Sequence, residues 1–136
     1  MDPLTTISRI ASTGLRAQGE RMRVVSENVA NANSTANEAG GDPYRRKTIA
    51  FNELVDVESG SSLVETTEVE RDMSAFTVRY EPQHPAADAN GYVKLPNVNP
   101  LIEMANMREA SRSYEANLTM LEQARSMRSQ LIDLLE

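Results

Sequence analysis

Residues 99–136 read NPLIEMANMREASRSYEANLTMLEQARSMRSQLIDLLE. The residue before a proline avoids the α region, and proline suits the first helical turn, so Asn99-Pro100 is a start signal. Beyond it there is neither glycine nor proline to stop a helix. Met107, Ala110, Tyr114, Asn117, Leu118, Leu121, Ala124, Leu131, Ile132 and Leu135 fall on one broad face at helical spacing. The opposite side carries Glu109, Arg112, Glu122 and Arg125, and Glu109–Arg112 and Glu122–Arg125 are placed to pair. The spacing predicts one helix from about residue 100 nearly to residue 136.

The other end of the chain repeats the theme more weakly. Leu4, Ile7, Ala11, Gly14, Gln18, Met22, Val25, Val29 and Ala32 follow in steps of three and four, which is coiled-coil spacing. Gly14 and Gln18 interrupt that stripe, and Gly14 and Gly19 each cost a helix about 1 kcal/mol relative to alanine. Such a helix would reach about 45 Å, far longer than a small domain needs. It has little reason to stand alone.

Between these ends the chain is broken by turns, and five of its six prolines lie in residues 33–100. Tyr44 to Val57 is rich in β-formers, Ala75 to Tyr80 alternates cleanly, and Tyr92 to Leu95 follows an Asn90-Gly91 turn signal. Glu58–Ser62 and Glu81–Asn90 read as loops, and Asn33–Asp42 as a flexible connector. The expected fold is α+β: long N- and C-terminal helices paired as an antiparallel coiled-coil-like hairpin, with a small irregular β module between them. Its divisions are an N-terminal helix over 1–33, a connector and β-rich module over 34–98, and a C-terminal helix over 99–136. A two-helix pair buries only the facing stripe of each helix. The C-terminal apolar face is wider than one seam, so part of it should stay uncovered, and uncovered apolar surface marks a partner.

Composition narrows the function. The 136 residues carry 14 Lys and Arg against 20 Asp and Glu, a net charge of -6. That balance disfavours nucleic acid or an anionic membrane as main partner, and no direct membrane insertion is expected. Cysteine is absent, which rules out disulfides, thiolate metal sites and a thiol nucleophile. The single His84 sits between Pro82 and Pro85 in a loop, and lone-histidine metal ligation is disfavoured. No cofactor, metal or catalytic residue is expected. The first twenty residues lack the basic start and unbroken apolar stretch of a cleaved secretory signal, and no window approaches 18 apolar residues in succession.

The first helix finishes in Ser26-Glu27-Asn28-Val29-Ala30-Asn31-Ala32-Asn33-Ser34. From helix rules alone this is a stop leading into a loop: Asn28 and Asn31 share a face, Ala30 permits close backbone approach, and asparagine near a helix end can take the left-handed cap. The same residues resemble the N-terminal signature of the flagellar rod, hook and hook-associated axial proteins, of form S-x-N-[LV]-A-N-x-x-[ST], here Ser26, Asn28, Val29, Ala30 and Asn31. Further segments resemble rod members of that family. They are Pro43-Tyr44-Arg45-Arg46-Lys47 with Phe51, Tyr80-Glu81-Pro82 with His84-Pro85, Ala87 to Lys94, Pro96 to Asn99, Glu103-Met104, and Ala110 to Asn117. Only Val57–Asp72 carries nothing specific.

The resemblance implies a non-enzymatic structural subunit of the bacterial flagellar basal-body rod, the periplasm-spanning drive shaft that transmits motor torque to the hook. Implied partners are other copies of itself, other rod proteins and the flagellar type III export apparatus, which exports such chains without a cleaved signal peptide. It also implies terminal helices that pack as an inner coiled-coil layer and become ordered on assembly. The expected assembly interface is Ile7, Ala11, Met22, Val25 and Val29 from the first helix, with Leu118, Leu121, Leu131, Ile132 and Leu135 from the last. An intramolecular helix pair is the plainer role for any one of them. Burying each Leu, Ile or Val is worth roughly 1.5–3 kcal/mol, enough to offset helix ordering only when neighbouring chains complete the packing. Those contacts must be heterologous, since isologous pairing would close a dimer and stop growth. Asn28 and Asn31 are expected to set register. Arg45-Arg46-Lys47 reads either as a solvated strand end or as a salt-sensitive contact to an acidic neighbour.

Two rivals stand against this. Acid pairs such as Glu68 with Glu70, or Asp56 with Glu58, could serve glycoside chemistry, but nothing in the sequence marks an apolar pocket to raise one pKa. A cytosolic coiled-coil adaptor or export chaperone would instead be a stable helical dimer.

Overall fold

The structure, a computed structural model, describes residues 2–136. Met1, which the expected N-terminal segment included, lies outside the described residues. Two helices bracket six short strands: α1 (Pro3–Ala30), β1 (Lys47–Thr48), β2 (Phe51–Val55), β3 (Ser62–Thr66), β4 (Glu70–Arg71), β5 (Thr77–Tyr80), β6 (Tyr92–Leu95) and α2 (Pro100–Leu135). The expected α+β class, long terminal helices with small antiparallel strand pairs between them, is the one that forms.

Both helices begin with the same device. Asp2 precedes Pro3 and its Oδ1 accepts the Leu4 amide at 3.2 Å, while Asn99 precedes Pro100 and its Oδ1 accepts the Leu101 amide at 3.1 Å. A polar N-cap followed by proline satisfies or removes the orphan donors of the first turn. At the far end of α1 the asparagines do not use the left-handed conformation open to them. Asn31 stays in the ordinary backbone range, and its Nδ2 donates to the Glu27 carbonyl at 2.9 Å while its Oδ1 accepts the Ser34 hydroxyl at 3.0 Å.

By internal contacts the chain divides into two units. Among the described residues the first comprises 2–22, Ile49–Glu68 and Arg108–Glu136, and the second Arg23–Thr48 and Val69–Met107. In the first unit the helices run antiparallel: Arg21 pairs with Glu109 at 3.3 Å, and Arg128 donates to the Thr5 hydroxyl at 2.7 Å. Glu109 therefore meets Arg21 across the seam, where the sequence suggested Arg112 along its own helix. Ala11, Ala17, Ala110 and Ala124 are buried in this unit, and small residues let helix backbones approach closely. Gly14 shows how closely, because a Cβ there would sit 2.7 Å from Asn117 Nδ2. The β2–β3 hairpin joins the unit through Leu63, which is buried, and through the Val64 amide, which donates to Thr13 Oγ1 at 3.3 Å.

In the second unit α1 contributes buried Val24, Val25 and Asn28, and α2 contributes buried Glu103. The β5–β6 ribbon turns Val93 fully inward and leaves Val78, Tyr80 and Tyr92 outside. The rings of Tyr80 and Tyr92 meet edge to face at 5.2 Å, above Gly91. Gly91 has φ +88 and would place a Cβ 2.8 Å from the Tyr80 ring, so both conformation and space require glycine. The connector is anchored here, because Tyr44 N donates to Ser34 O at 3.0 Å and Gly40 N to Ala86 O at 3.1 Å. The strands form three separate antiparallel pairs, β1–β4, β2–β3 and β5–β6. A two-stranded ribbon is marginal by itself and gains stability by packing against a helix.

Candidate assembly interface

At the close of α1 the sequence places one amide side chain where the chain must return. Asn28 is 1% exposed, and its two ends hold the backbone of a single residue. Its Nδ2 donates to Lys47 O at 2.9 Å, and its Oδ1 accepts Lys47 N–H at 2.9 Å and the Tyr44 hydroxyl at 2.7 Å. A carboxamide offers this donor–acceptor pair with the polarity of a neighbouring strand, so Asn28 acts as a one-residue strand partner. Nearby Glu103 is 0% exposed and accepts a close charge-assisted hydrogen bond from Arg46 Nε, and Arg46 also pairs with Asp72 at 3.4 Å. Burial opposes the Arg46 charge, but the hydrogen bonds and charges of Glu103 and Asp72 more than offset it and raise its pKa. Tyr44 is pushed up by burial first and then by the nearby Glu27 and Glu103.

Within the chain the basic run meets acidic side chains and backbone carbonyls. Arg45 donates to Asp72 O at 2.9 Å and lies 4.1 Å over the Phe76 ring, and Lys47 Nζ pairs with Glu27 at 2.6 Å. His84 Nδ1 accepts the Ala86 amide at 3.0 Å within its own loop. Among the described residues no group of three or more His, Cys, Asp or Glu is placed to hold a metal, and no helix is long and apolar enough to cross a membrane.

The sequence-selected interface residues divide sharply by environment. Ala11 and Val25 are buried against their own chain; Ile7, Met22, Val29 and Leu121 are half-buried; Leu118, Leu131, Ile132 and Leu135 are exposed. Of the signature, Asn28 is buried, Val29 and Asn31 half-buried, and Ser26 and Ala30 face outward. For Leu131, Ile132 and Leu135 the reason lies in the first unit. There α1 begins at Pro3 and its first turn lies against Arg128, so residues 129–135 of α2 run on past it. Leu131 is 53% exposed, Ile132 52% and Leu135 88%.

Further apolar residues were missed by the sequence pattern. Met120, Met127 and Leu134 are exposed and, with Leu131, lie on one stripe of α2 in steps of seven, four and three. The buried line of Ala110 and Ala124 separates this stripe from the one carrying Leu118, Leu121 and Ile132. The heptad step from Met120 to Met127 was the available signal. At the start of α2, Leu101, Ile102 and Met104 are exposed as well.

A C-terminal helix that leaves most of its large apolar side chains uncovered, packed on the first helix at a seam of alanine and glycine, defines a packing subunit. Comparison with known proteins agrees. A family model described as flagellar basal body rod FlgEFG protein C-terminal matches residues 89–134. The flagellar basal-body rod protein FlgC of Agrobacterium fabrum is 52% identical over 136 residues, covering 100% of this chain and 98% of the relative. Its namesake in Salmonella typhimurium is 42% identical, covering 91% and 92%, and that of Bacillus subtilis 38%, covering 87% and 89%. The chain belongs to the FlgC family of flagellar basal-body rod proteins, structural subunits of the rod.

Proposed function

We propose that this subunit works by polymerisation: with copies of itself and other rod proteins it builds the periplasm-spanning shaft that carries motor torque to the hook. One observation carries this, the uncovered apolar surface of α2 from Leu118 to Leu135. Full burial of such a side chain is worth roughly 1.5–3 kcal/mol before ordering costs, so a covering neighbour recovers most of that at Leu135 and a smaller share at Leu118, Leu131 and Ile132. Ile7 and Leu121, half-buried in the first unit, extend this contact, and Met22 and Val29 are half-buried farther along α1. Ala11 and Val25, buried within the chain, contribute to its own helix packing. The packing is heterologous, so that it propagates along a filament. The chain reaches its place through the flagellar type III export apparatus, without a cleaved signal peptide.

A catalytic role has little physical support. A glycoside general acid needs a raised pKa, whereas Asp56 is lowered, first by the Ser59 hydroxyl at 2.6 Å and also by the Arg9 charge. Glu68 and Glu70 are exposed. Deleting the gene and imaging detergent-extracted basal bodies tests the proposal. Non-swimming cells whose basal bodies lack a complete rod and hook are expected. Complete rods with normal swimming would sink it and bring the adaptor or chaperone alternative forward.

A further inference from the structure

We propose that Asn90-Gly91 is a latent self-modification site: a chain that stays open there converts its own Asn90 to aspartate or isoaspartate, and the folded turn shields it. The proposal does not rest on how the subunit assembles.

Of the ten asparagines only Asn90 is followed by glycine. The chemistry needs water and no enzyme. Solvent base removes the Gly91 amide proton, and the nitrogen attacks Asn90 Cγ. The new N–C bond closes a succinimide ring as the side-chain nitrogen leaves as ammonia. Water then opens the ring at either carbonyl. One opening restores the original main chain and leaves aspartate; the other routes the main chain through Cβ and leaves isoaspartate. Glycine hinders the attack least, because it has no Cβ and the widest range of backbone angles.

In the folded chain the electrophile is available and the nucleophile is not. Asn90 is exposed, and among the described residues its carboxamide has no hydrogen-bond partner. Gly91 is buried, and its N–H donates to Asp88 O at 3.0 Å. Its carbonyl accepts the Glu81 amide at 3.0 Å. Asp88 Oδ1 holds the amides on either side, Asn90 N at 2.9 Å and Tyr92 N at 3.0 Å. Tyr80 and Pro82 close over the glycine, where a Cβ would lie 2.8 Å from the Tyr80 ring and 3.1 Å from Pro82. Base therefore reaches the Gly91 nitrogen only when the turn opens. Amide hydrogen exchange needs the same opening, so the free energy of that opening sets both rates.

The two products differ in what they do to the fold. Aspartate at position 90 leaves the backbone unchanged. Isoaspartate inserts a carbon between the two amides that share Asp88 Oδ1, so both bonds cannot survive, and the Tyr80–Tyr92 end of the β5–β6 ribbon loses its turn. The lesion thus records time spent unfolded, and one of its two forms prevents the turn from closing again.

Trypsin cuts after Arg79 and Lys94, and Asn90 is the one asparagine in the fragment 80–94. The full-length chain is held in mildly alkaline buffer, either folded or in concentrated guanidinium chloride. Mass spectrometry of the fragment reads amide-to-acid conversion, and chromatography separates isoaspartate from aspartate. The denatured chain should yield both products, and the folded chain should convert at least about 10-fold more slowly. Asp88→Ala, which removes the shared acceptor, should convert several-fold faster than the unmodified folded chain while circular dichroism shows it still folded. Asn90→Asp should melt as the unmodified chain does. Equal rates in the folded and denatured chain, or no conversion in the denatured chain, overturns the proposal. A folded Asp88→Ala chain that converts no faster than the unmodified one overturns it too, as does a clearly lowered melting temperature in Asn90→Asp.

Discussion

Asn28 commits its whole carboxamide to the backbone of Lys47 and the hydroxyl of Tyr44. Truncation to alanine leaves the Lys47 N–H and C=O and the Tyr44 hydroxyl, all part-buried, without these partners, and an unsatisfied buried group costs about 1–3 kcal/mol. Asn28→Ala should therefore lower unfolding stability by about 2–3 kcal/mol in a urea titration, and a loss under 0.5 kcal/mol would contradict the clamp. Tyr44 adds a pH signature. Its folded pKa lies above the unfolded value of about 10, so the neutral phenol stabilises the fold fully below pH 10, and that contribution is lost as pH rises through the folded pKa. Tyr44→Phe should abolish the part of the alkaline stability loss that Tyr44 carries; an unchanged alkaline limb would contradict it. Asn28 stood out in the sequence through its place in the Ser26–Asn31 signature. Its partners did not, because Lys47 lies nineteen residues on and only the folded return of the connector brings it there.

At the scale of elements, two glycines of α1 make opposite predictions. Nothing lies within 4 Å of a Cβ on Gly19, so Gly19→Ala should recover the helix-propensity deficit, about 1 kcal/mol, as a raised melting temperature. At Gly14 the same methyl meets Asn117, whose Nδ2 donates to Ser113 O at 2.9 Å, and Gly14→Leu should cost roughly 1–3 kcal/mol by overpacking the seam. Comparable effects at both sites would mean that the helices do not approach closely at Gly14. The sequence treated these glycines alike, as simple weaknesses in a stripe. Both long helices were legible because Asn99-Pro100 and the apolar periodicity announce them, and Asp2-Pro3 is the same signal at the other end. The β3 and β4 pairings were not. Ser62–Thr66 and Glu70–Arg71 are short, largely exposed, and defined by partners in β2 and β1 more than by their own pattern.

For the whole molecule, stability against acid should depend on two carboxylates outside the helices. Asp72 is lowered first by the Ser74 amide, which donates to its Oδ1 at 2.9 Å, and then by Arg46, and Asp56 is lowered first by Ser59. Folded pKa values below the unfolded ones give stabilisation that is present above about pH 4 and disappears as pH falls through the folded values. Replacing Asp56 and Asp72 together by asparagine should flatten the acid limb of a stability–pH curve; an unaltered limb would show that these carboxylates do not carry it. Assembly was readable from the sequence only as surplus apolar width on α2. That Leu131, Ile132 and Leu135 remain uncovered depends on where α1 begins relative to α2, and that offset is a property of the packed pair. Leu131 and Ile132 lie past the start of α1, so changing them leaves the chain's own core intact. The most direct measurement is to replace the gene with one encoding Leu131→Asp and Ile132→Asp and image extracted basal bodies. A subunit with unaltered melting that is absent from basal bodies, in cells that do not swim, is the predicted result. Complete rods containing the variant subunit would contradict assembly through the exposed face of α2.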